Sequence, residues 1–355
     1  MAPKLIAIAG GTGTIGQSIV SALLSNSHPH SHSHAKKYTP IILSRATAQN
    51  PDGTRKLEPA KSPSGKAFEI ETRYVTYTSL ESLVTALRDI NTLISTLLIP
   101  DPSWVTIQLN LLYASIQSGV QRFAPSEFAL SQEAHELVDV DEGKIIVWQE
   151  VKKAVTEGEI DAAAFPVGMF MNYLGIGIPD ADVEREARAG FREGALMFYL
   201  NPNPQGAGGG GGGQPWIDMP LTENGVYPTL TMTDIRDIGK FVVAALGLEE
   251  WGGRGLGIAG DTVNLKDVVE VLQGRFGGRI VENKLSLVDL QKKHDKFPEQ
   301  DILGRMDVQY TIACGRGACV VDGVLNRLCP EVRPTTVREF VERYWPVLSD
   351  DDLGD

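Results

Sequence analysis

Residues 5–16 read Leu-Ile-Ala-Ile-Ala-Gly-Gly-Thr-Gly-Thr-Ile-Gly. An apolar, strand-forming run enters a cluster of glycines. The cluster opens a helical stripe of Ile15, Ile19 and Leu23, with Val20 and Leu24 beside it. Gly11, Gly13 and Gly16 satisfy G-x-G-x-x-G, while Gly10, Gly13 and Gly16 satisfy G-x-x-G-x-x-G. The spacing has a mechanical logic: one glycine permits the tight turn, the next lets backbone approach a diphosphate, and the last lets helix pack on strand. The unpaired N–H groups and dipole of the helix then favour an anion. With a strand before it and a helix after it, the stretch predicts a dinucleotide-binding turn made of Gly10, Gly11, Thr12, Gly13, Thr14, Ile15 and Gly16.

The end of the second strand bears on which dinucleotide. A carboxylate there holds ribose hydroxyls, whereas an Arg suits a 2′-phosphate. That strand is Pro40-Ile-Ile-Leu-Ser-Arg45, closing on Ser44 and Arg45 with no carboxylate until Asp52. Ser44 and Arg45 therefore join the candidate cofactor residues, and NADP (as NADPH) is the expected cofactor; the bland reading of Arg45 is a solvated strand-end side chain.

The chain has 355 residues, 42% of them hydrophobic and 22% charged, which suits a globular protein of one large domain or two lobes. A net charge of −12 argues against a nucleic-acid surface. No apolar run reaches membrane-spanning length, and the N-terminal run is too short for a secretion signal, so a cytoplasmic location is expected. Cys314, Cys319 and Cys329 have spacings that match neither a disulfide framework nor a zinc site, so they read as buried free thiols. No metal is expected.

Strand and helix alternate over residues 1–165, as a doubly wound sheet requires. Strands are expected near 39–43, 68–75, 92–98 and 122–128, with helices at 80–87 and 104–118, the latter stopped by Gly119. The alternating Ser/His run at 27–34 reads as a solvated insertion rather than a metal site. Beyond 165 the pattern changes. Residues 166–225 and 263–355 are expected to form a substrate-binding lobe, and 226–262 to return to the first domain. Six consecutive glycines within 201–214 mark a flexible loop. The fold class expected is α/β: a doubly wound, mostly parallel sheet with a smaller α+β C-terminal lobe.

The chemistry is harder to place. The Tyr-x-x-x-Lys dyad of ordinary short-chain dehydrogenases is missing, since no tyrosine has Lys four residues later. In its place stand Gln121-Arg-Phe-Ala-Pro-Ser-Glu-Phe128, then Lys144, then Gly168-Met-Phe-Met-Asn-Tyr-Leu174. Ser126 and Glu127 have the look of a nucleophile and base, but no partner His is visible, and strand-end packing is the plainer account.

Here the chain resembles the NmrA-like and isoflavone-reductase-like group of atypical short-chain dehydrogenases. The resemblance rests on the glycine turn, on Arg-Phe-Ala-Pro-Ser-Glu-Phe and on Gly168–Leu174. Thr233-Asp-Ile-Arg-Asp-Ile-Gly239 and Pro334-Thr-Thr-Val-Arg-Glu-Phe340 add to it. It implies a Rossmann fold and an acid–base lysine after Pro-Ser-Glu-Phe, which Lys144 matches best. Matching on Lys152 and Lys153 instead puts Trp148 in that column. The family's aromatic three residues before the lysine is Asp141 here, and Ala129 replaces its glycine.

Independently, a lysine in an apolar or cationic setting can serve as a proton donor near neutral pH, against the bland reading of an exposed helix-start residue. Met169 and Tyr173, with Asn172 as polar handle, are the candidate substrate-binding residues. Two functions follow from the resemblance. One is an NADPH-dependent reductase of a small, largely apolar conjugated or carbonyl compound, of the kind that serves secondary metabolism. The other is an NAD(P)-sensing regulator with a protein partner and no turnover.

Overall fold

The computed structural model describes residues 2–25, 38–61, 67–191, 194–201 and 214–348. The Ser/His run and nearly all of the glycine-rich loop expected at 201–214 lie outside these residues.

The main sheet is built from β1 (Lys4–Ala9), β2 (Tyr38–Arg45), β3 (Arg55–Lys61), β4 (Ala67–Val75), β5 (Thr92–Ser95), β6 (Arg122–Ala124) and β7 (Asp161–Ala164). β8 (Met169–Phe170), β9 (Phe198–Tyr199), β10 (Trp216–Pro220) and β11 (Thr229–Thr233) follow outside it. β12 (Arg254–Gly255) returns to its edge, and β13 (Asp261–Asn264) and β14 (Val281–Leu285) complete the strands described. The main sheet runs β12-β7-β6-β5-β1-β2-β4-β3 and is parallel except for the β3–β4 hairpin. β1 sits centrally, with Ala9 level with Leu43 of β2 and Ser95 of β5.

Alternate residues of the strands face two helical layers, as the two-residue period of a strand requires. Ile6, Ile8, Ile42 and Ile94 pack with α1 (Thr14–Ser25) and the helix over Ile235–Ala245. Ala7, Ala9, Ile41, Leu43 and Leu93 face α2 (Leu80–Leu87), α3 (Ser103–Ser118) and α4 (Glu142–Thr156). Gly119 ends α3 at φ +74°, the left-handed stop expected of it.

The remaining chain adds α5 (Ala181–Arg188), α6 (Ile235–Ala245), α7 (Leu265–Gln273), α8 (Leu287–His294), α9 (Ile302–Gly315), α10 (Val324–Leu328) and α11 (Val337–Tyr344). Two small sheets, β14-β10-β9 and β13-β11-β8, go with them. Of residues 226–262, α6 and β12 join the first layers, whereas β11 pairs with β8 and β13 in a small sheet. α6 lies close on α1: the Ser18 hydroxyl donates to Ile235 O at 2.6 Å and accepts from Gly239 N–H at 3.1 Å. The Thr233–Gly239 stretch is thus a joint. Asp234 caps α6 and Asp237 accepts from Thr335 N–H at 2.7 Å.

The cysteine expectation needs correction. Cys314 and Cys319 are paired as a disulfide, with Cα atoms 5.0 Å apart, and only Cys329 is a buried free thiol. Gly317, at φ +75°, closes α9 by letting Ala318 N–H reach Ala313 O at 2.9 Å, which folds the chain back onto Cys314.

Candidate functional site

Parallel strands carry their connecting loops to the carboxyl edge of the sheet, where ligands of open α/β folds bind. At that edge β1 ends in the glycine turn. Gly10 has φ +82°, and a Cβ there would lie 2.9 Å from Thr96 Oγ1. A Cβ on Gly16 would fall 2.2 Å from Gly10 O. Those two positions admit only glycine, so the structure selects the Gly10-x-x-Gly13-x-x-Gly16 reading of the overlapping triplets. Gly13 differs: it is exposed, and a Cβ on it would meet only Gly10 O, at 3.2 Å. Its open face lies at the start of α1, whose first turn carries no acidic residue. This is a cradle that a side chain would fill and that fits a diphosphate.

Thr12 is exposed, Thr14 and Ile15 are half-buried, and Gly11 is buried against Ile42. The Thr14 hydroxyl donates to Gly190 O at 3.0 Å, which brings the segment after α5 onto the turn.

Ser44 and Arg45 close β2, with Arg45 exposed two positions beyond the partner of Ala9. Sequence reasoning missed Tyr77, which lies beneath them. Its buried hydroxyl donates to Leu43 O at 2.9 Å and lies close to the Gly10 backbone. Burial pushes this phenol far above its ordinary range, so it remains a neutral strut between the turn and β2. Leu98, two residues past Thr96, leaves an apolar side chain 80% exposed at the same edge.

Lys144 stands in the first turn of α4. Because α4 returns the chain from β6 to the parallel β7, its N-terminus lies toward the carboxyl edge. α4 also packs tightly on α3 there: a Cβ on Gly143 would lie 2.8 Å from Val105 Cγ2. The expected apolar or cationic setting is not the one found. The Lys144 ammonium pairs with the buried carboxylate of Asp141, whose other oxygen accepts from Tyr310 OH at 3.0 Å. Trp148, one turn further, is buried in the core shared with α3.

Glu127 has the histidine partner that was not visible in the sequence. His135 Nε2 lies 3.3 Å from Glu127 Oε2, and both residues are 1% exposed. Burial pushes the Glu127 carboxyl up to about 8, with Asp141 adding to the rise and Lys144 opposing it. Burial, aided by Lys144, pushes His135 down to about 4. Between those limits the two are a neutral acid and a neutral imidazole, not an ion pair. No bond joins the pair to Ser126, whose N–H donates to the buried Gln108 at 3.3 Å, so this is not a nucleophile–base arrangement.

Met169, Asn172 and Tyr173 come together, but inside the main core. The Asn172 amide donates to Ala187 O at 2.8 Å and its oxygen accepts from Ile235 N–H at 3.0 Å. Wholly buried and bonded at both ends, it ties α5 to α6 and presents no open face as a polar handle. Tyr173 packs edge-on to Phe191 at 4.7 Å, and half-buried Phe170 joins the same ring group. Met169 abuts Cys314, sulfur to sulfur at 3.3 Å.

Among the described residues, no three His, Cys, Asp or Glu side chains cluster as a metal site. No described helix is long and apolar enough to cross a membrane.

The sheet order, the glycine turn and the appended lobe define the class: a Rossmann-fold protein built like the atypical short-chain dehydrogenases. More closely, the chain belongs to the NmrA-like family, whose model matches residues 2–340. It is 30% identical to "Oxidoreductase BOA1" of Botryotinia fuckeliana (strain B05.10) over 271 residues, 75% of this chain and 74% of that protein. Among solved structures it superposes on an isoflavone reductase with a TM-score of 0.65 at 16% identity, covering 97% of this chain and 100% of that one. Against the NADPH-dependent quinone oxidoreductase QOR2 of Escherichia coli, complexed with NADPH, the TM-score is 0.61 at 18% identity, covering 95% and 99%.

Proposed function

We propose that this chain is an NADPH-dependent oxidoreductase that reduces a small, largely apolar conjugated or carbonyl compound. The observation that carries the reading is the bare Gly10–Gly16 cradle at the edge onto which α4 delivers Lys144. Similarity to an oxidoreductase, and to folds solved with NADPH, supports it.

The backbone of the turn and the N-terminus of α1 would hold the diphosphate, and exposed Arg45 the 2′-phosphate. When bound, the reduced nicotinamide supplies a hydride to an electron-poor carbon. Lys144 Nζ holds the proton that the substrate takes up, so hydride and proton together complete a two-electron reduction. Asp141 keeps the ammonium in place. Neutral Glu127 adds no second negative charge beside it. Leu98 and Phe170 offer apolar surface that excludes water, with Met169 and Tyr173 packed behind. A role in secondary metabolism and a cytoplasmic location belong to the same proposal.

The test follows NADPH absorbance with a panel of enones, quinones and aromatic aldehydes, comparing wild type with Lys144→Ala. Loss of an acid catalyst should lower turnover by about 10²-fold or more. Tight NADPH binding without turnover of any probe would overturn the reductase reading in favour of a dinucleotide sensor.

A further inference from the structure

Lys144 is the last link of a chain of contacts that begins in the other lobe. Its ammonium lies on Asp141 Oδ1, and Tyr310 OH donates to Asp141 Oδ2 at 3.0 Å. Two residues earlier in the same short turn, Asp139 is held twice from α9. Arg305 Nη2 donates to its carboxylate at 2.9 Å, and Gln309 Oε1 accepts its backbone N–H at 3.1 Å. Arg305, Gln309 and Tyr310 therefore grip the two aspartates of Asp139–Asp141 from one helix.

The side chain of Asp141 is 2% exposed, so its carboxylate needs partners in any case. A lysine alone would meet the charge. A second donor from a different element does more, since it stops the carboxylate from rotating about its last bond. The far end of α9 is itself anchored by the Cys314–Cys319 pair and by the Cys314–Met169 contact.

We propose that Tyr310 is a positioning residue for Lys144, acting through Asp141, so that α9 of the C-terminal lobe sets where the proposed proton donor points. This rests on the reading of Lys144 as the acid. Neither residue stood out in the sequence for this role, because Tyr310 lies 169 positions from Asp141.

The test uses the full chain labelled with ¹⁵N-lysine, with the Lys144 ammonium signal assigned by its absence in Lys144→Arg. Hydrogen exchange at Nζ is compared in wild type, Tyr310→Phe and Asp141→Asn, with the half-exposed Lys240 as internal reference. A hydrogen bond to a charged group should slow Nζ exchange by about tenfold, so Tyr310→Phe should speed it by that order and Asp141→Asn by more. Affinity for NADPH and the unfolding temperature should change little in Tyr310→Phe. Where a probe substrate is turned over, kcat should fall while KM for NADPH holds. Unchanged Nζ exchange in Tyr310→Phe overturns the proposal, and so does a loss of cooperative unfolding in that variant, which would mark a merely structural role. Failure of the reductase reading is read separately, as NADPH binding by wild type with no probe turned over; the exchange comparison then decides this proposal alone.

Discussion

Replacing Glu127 by glutamine removes the acid from the buried pair with His135, and the pH dependence of stability should register it. The folded protein holds the Glu127 proton up to about 8, against 4.5 for an ordinary glutamate. Between those values the native state binds one proton more than the unfolded chain, so stability falls as pH rises, by about 1.4 kcal/mol per pH unit. His135 works in the opposite sense. Its folded value of about 4, against 6.5, means the native state binds one proton fewer in that window, and stability rises with pH there.

The two slopes cancel between 4.5 and 6.5, leaving a plateau. From 6.5 to about 8 only the Glu127 contribution remains. Wild type should therefore lose about 2 kcal/mol across that interval. Glu127→Gln should lose far less, because glutamine does not titrate. Urea unfolding of both proteins at the two ends of the interval measures the difference. Parallel losses in wild type and variant would refute the reasoning, since Glu127 would then already be ionised in the native state.

Gly13→Ala should stay folded, with at most a small loss of stability from its 3.2 Å approach to Gly10 O, and bind NADPH roughly tenfold or more weakly by calorimetry, its methyl occupying the exposed face of the cradle. Gly16→Ala should lower the unfolding temperature as well as abolish binding, because its methyl collides with Gly10 O. Asn172→Ala should cost about 2–4 kcal/mol in chemical denaturation by orphaning a carbonyl and an N–H in the core, without altering which probes are reduced.

The first β-α unit was legible because every local signal agreed: a buried strand, glycines at steric contacts, then an apolar stripe of helical period. The α3 stop at Gly119 was legible for the same reason. β3 was not. Its run Arg-Lys-Leu-Glu-Pro-Ala-Lys has the charge and proline of a protected edge strand, which carry no apolar alternation to read.

The place of the glycine turn after β1 and of Arg45 at the end of β2 was legible in the sequence, whereas the ion pair that holds Lys144 was not. Its neighbours Glu127, His135 and Tyr310 meet only through tertiary packing, and nothing in their spacing announces it. Asn172 was misread for a related reason. A polar residue amid apolar ones looks like a ligand handle, but a buried amide that satisfies two backbone groups leaves the same pattern. The cysteines paired because a glycine turn closes α9, a local geometry that counting spacings did not capture.

The most direct test of the account is calorimetric titration of the purified chain with NADPH and NADH, repeated on Arg45→Asp. One site per chain that prefers NADPH is predicted, with the substitution weakening NADPH far more than NADH. No heat of binding with either dinucleotide would contradict the central claim that the Gly10–Gly16 turn is a coenzyme cradle.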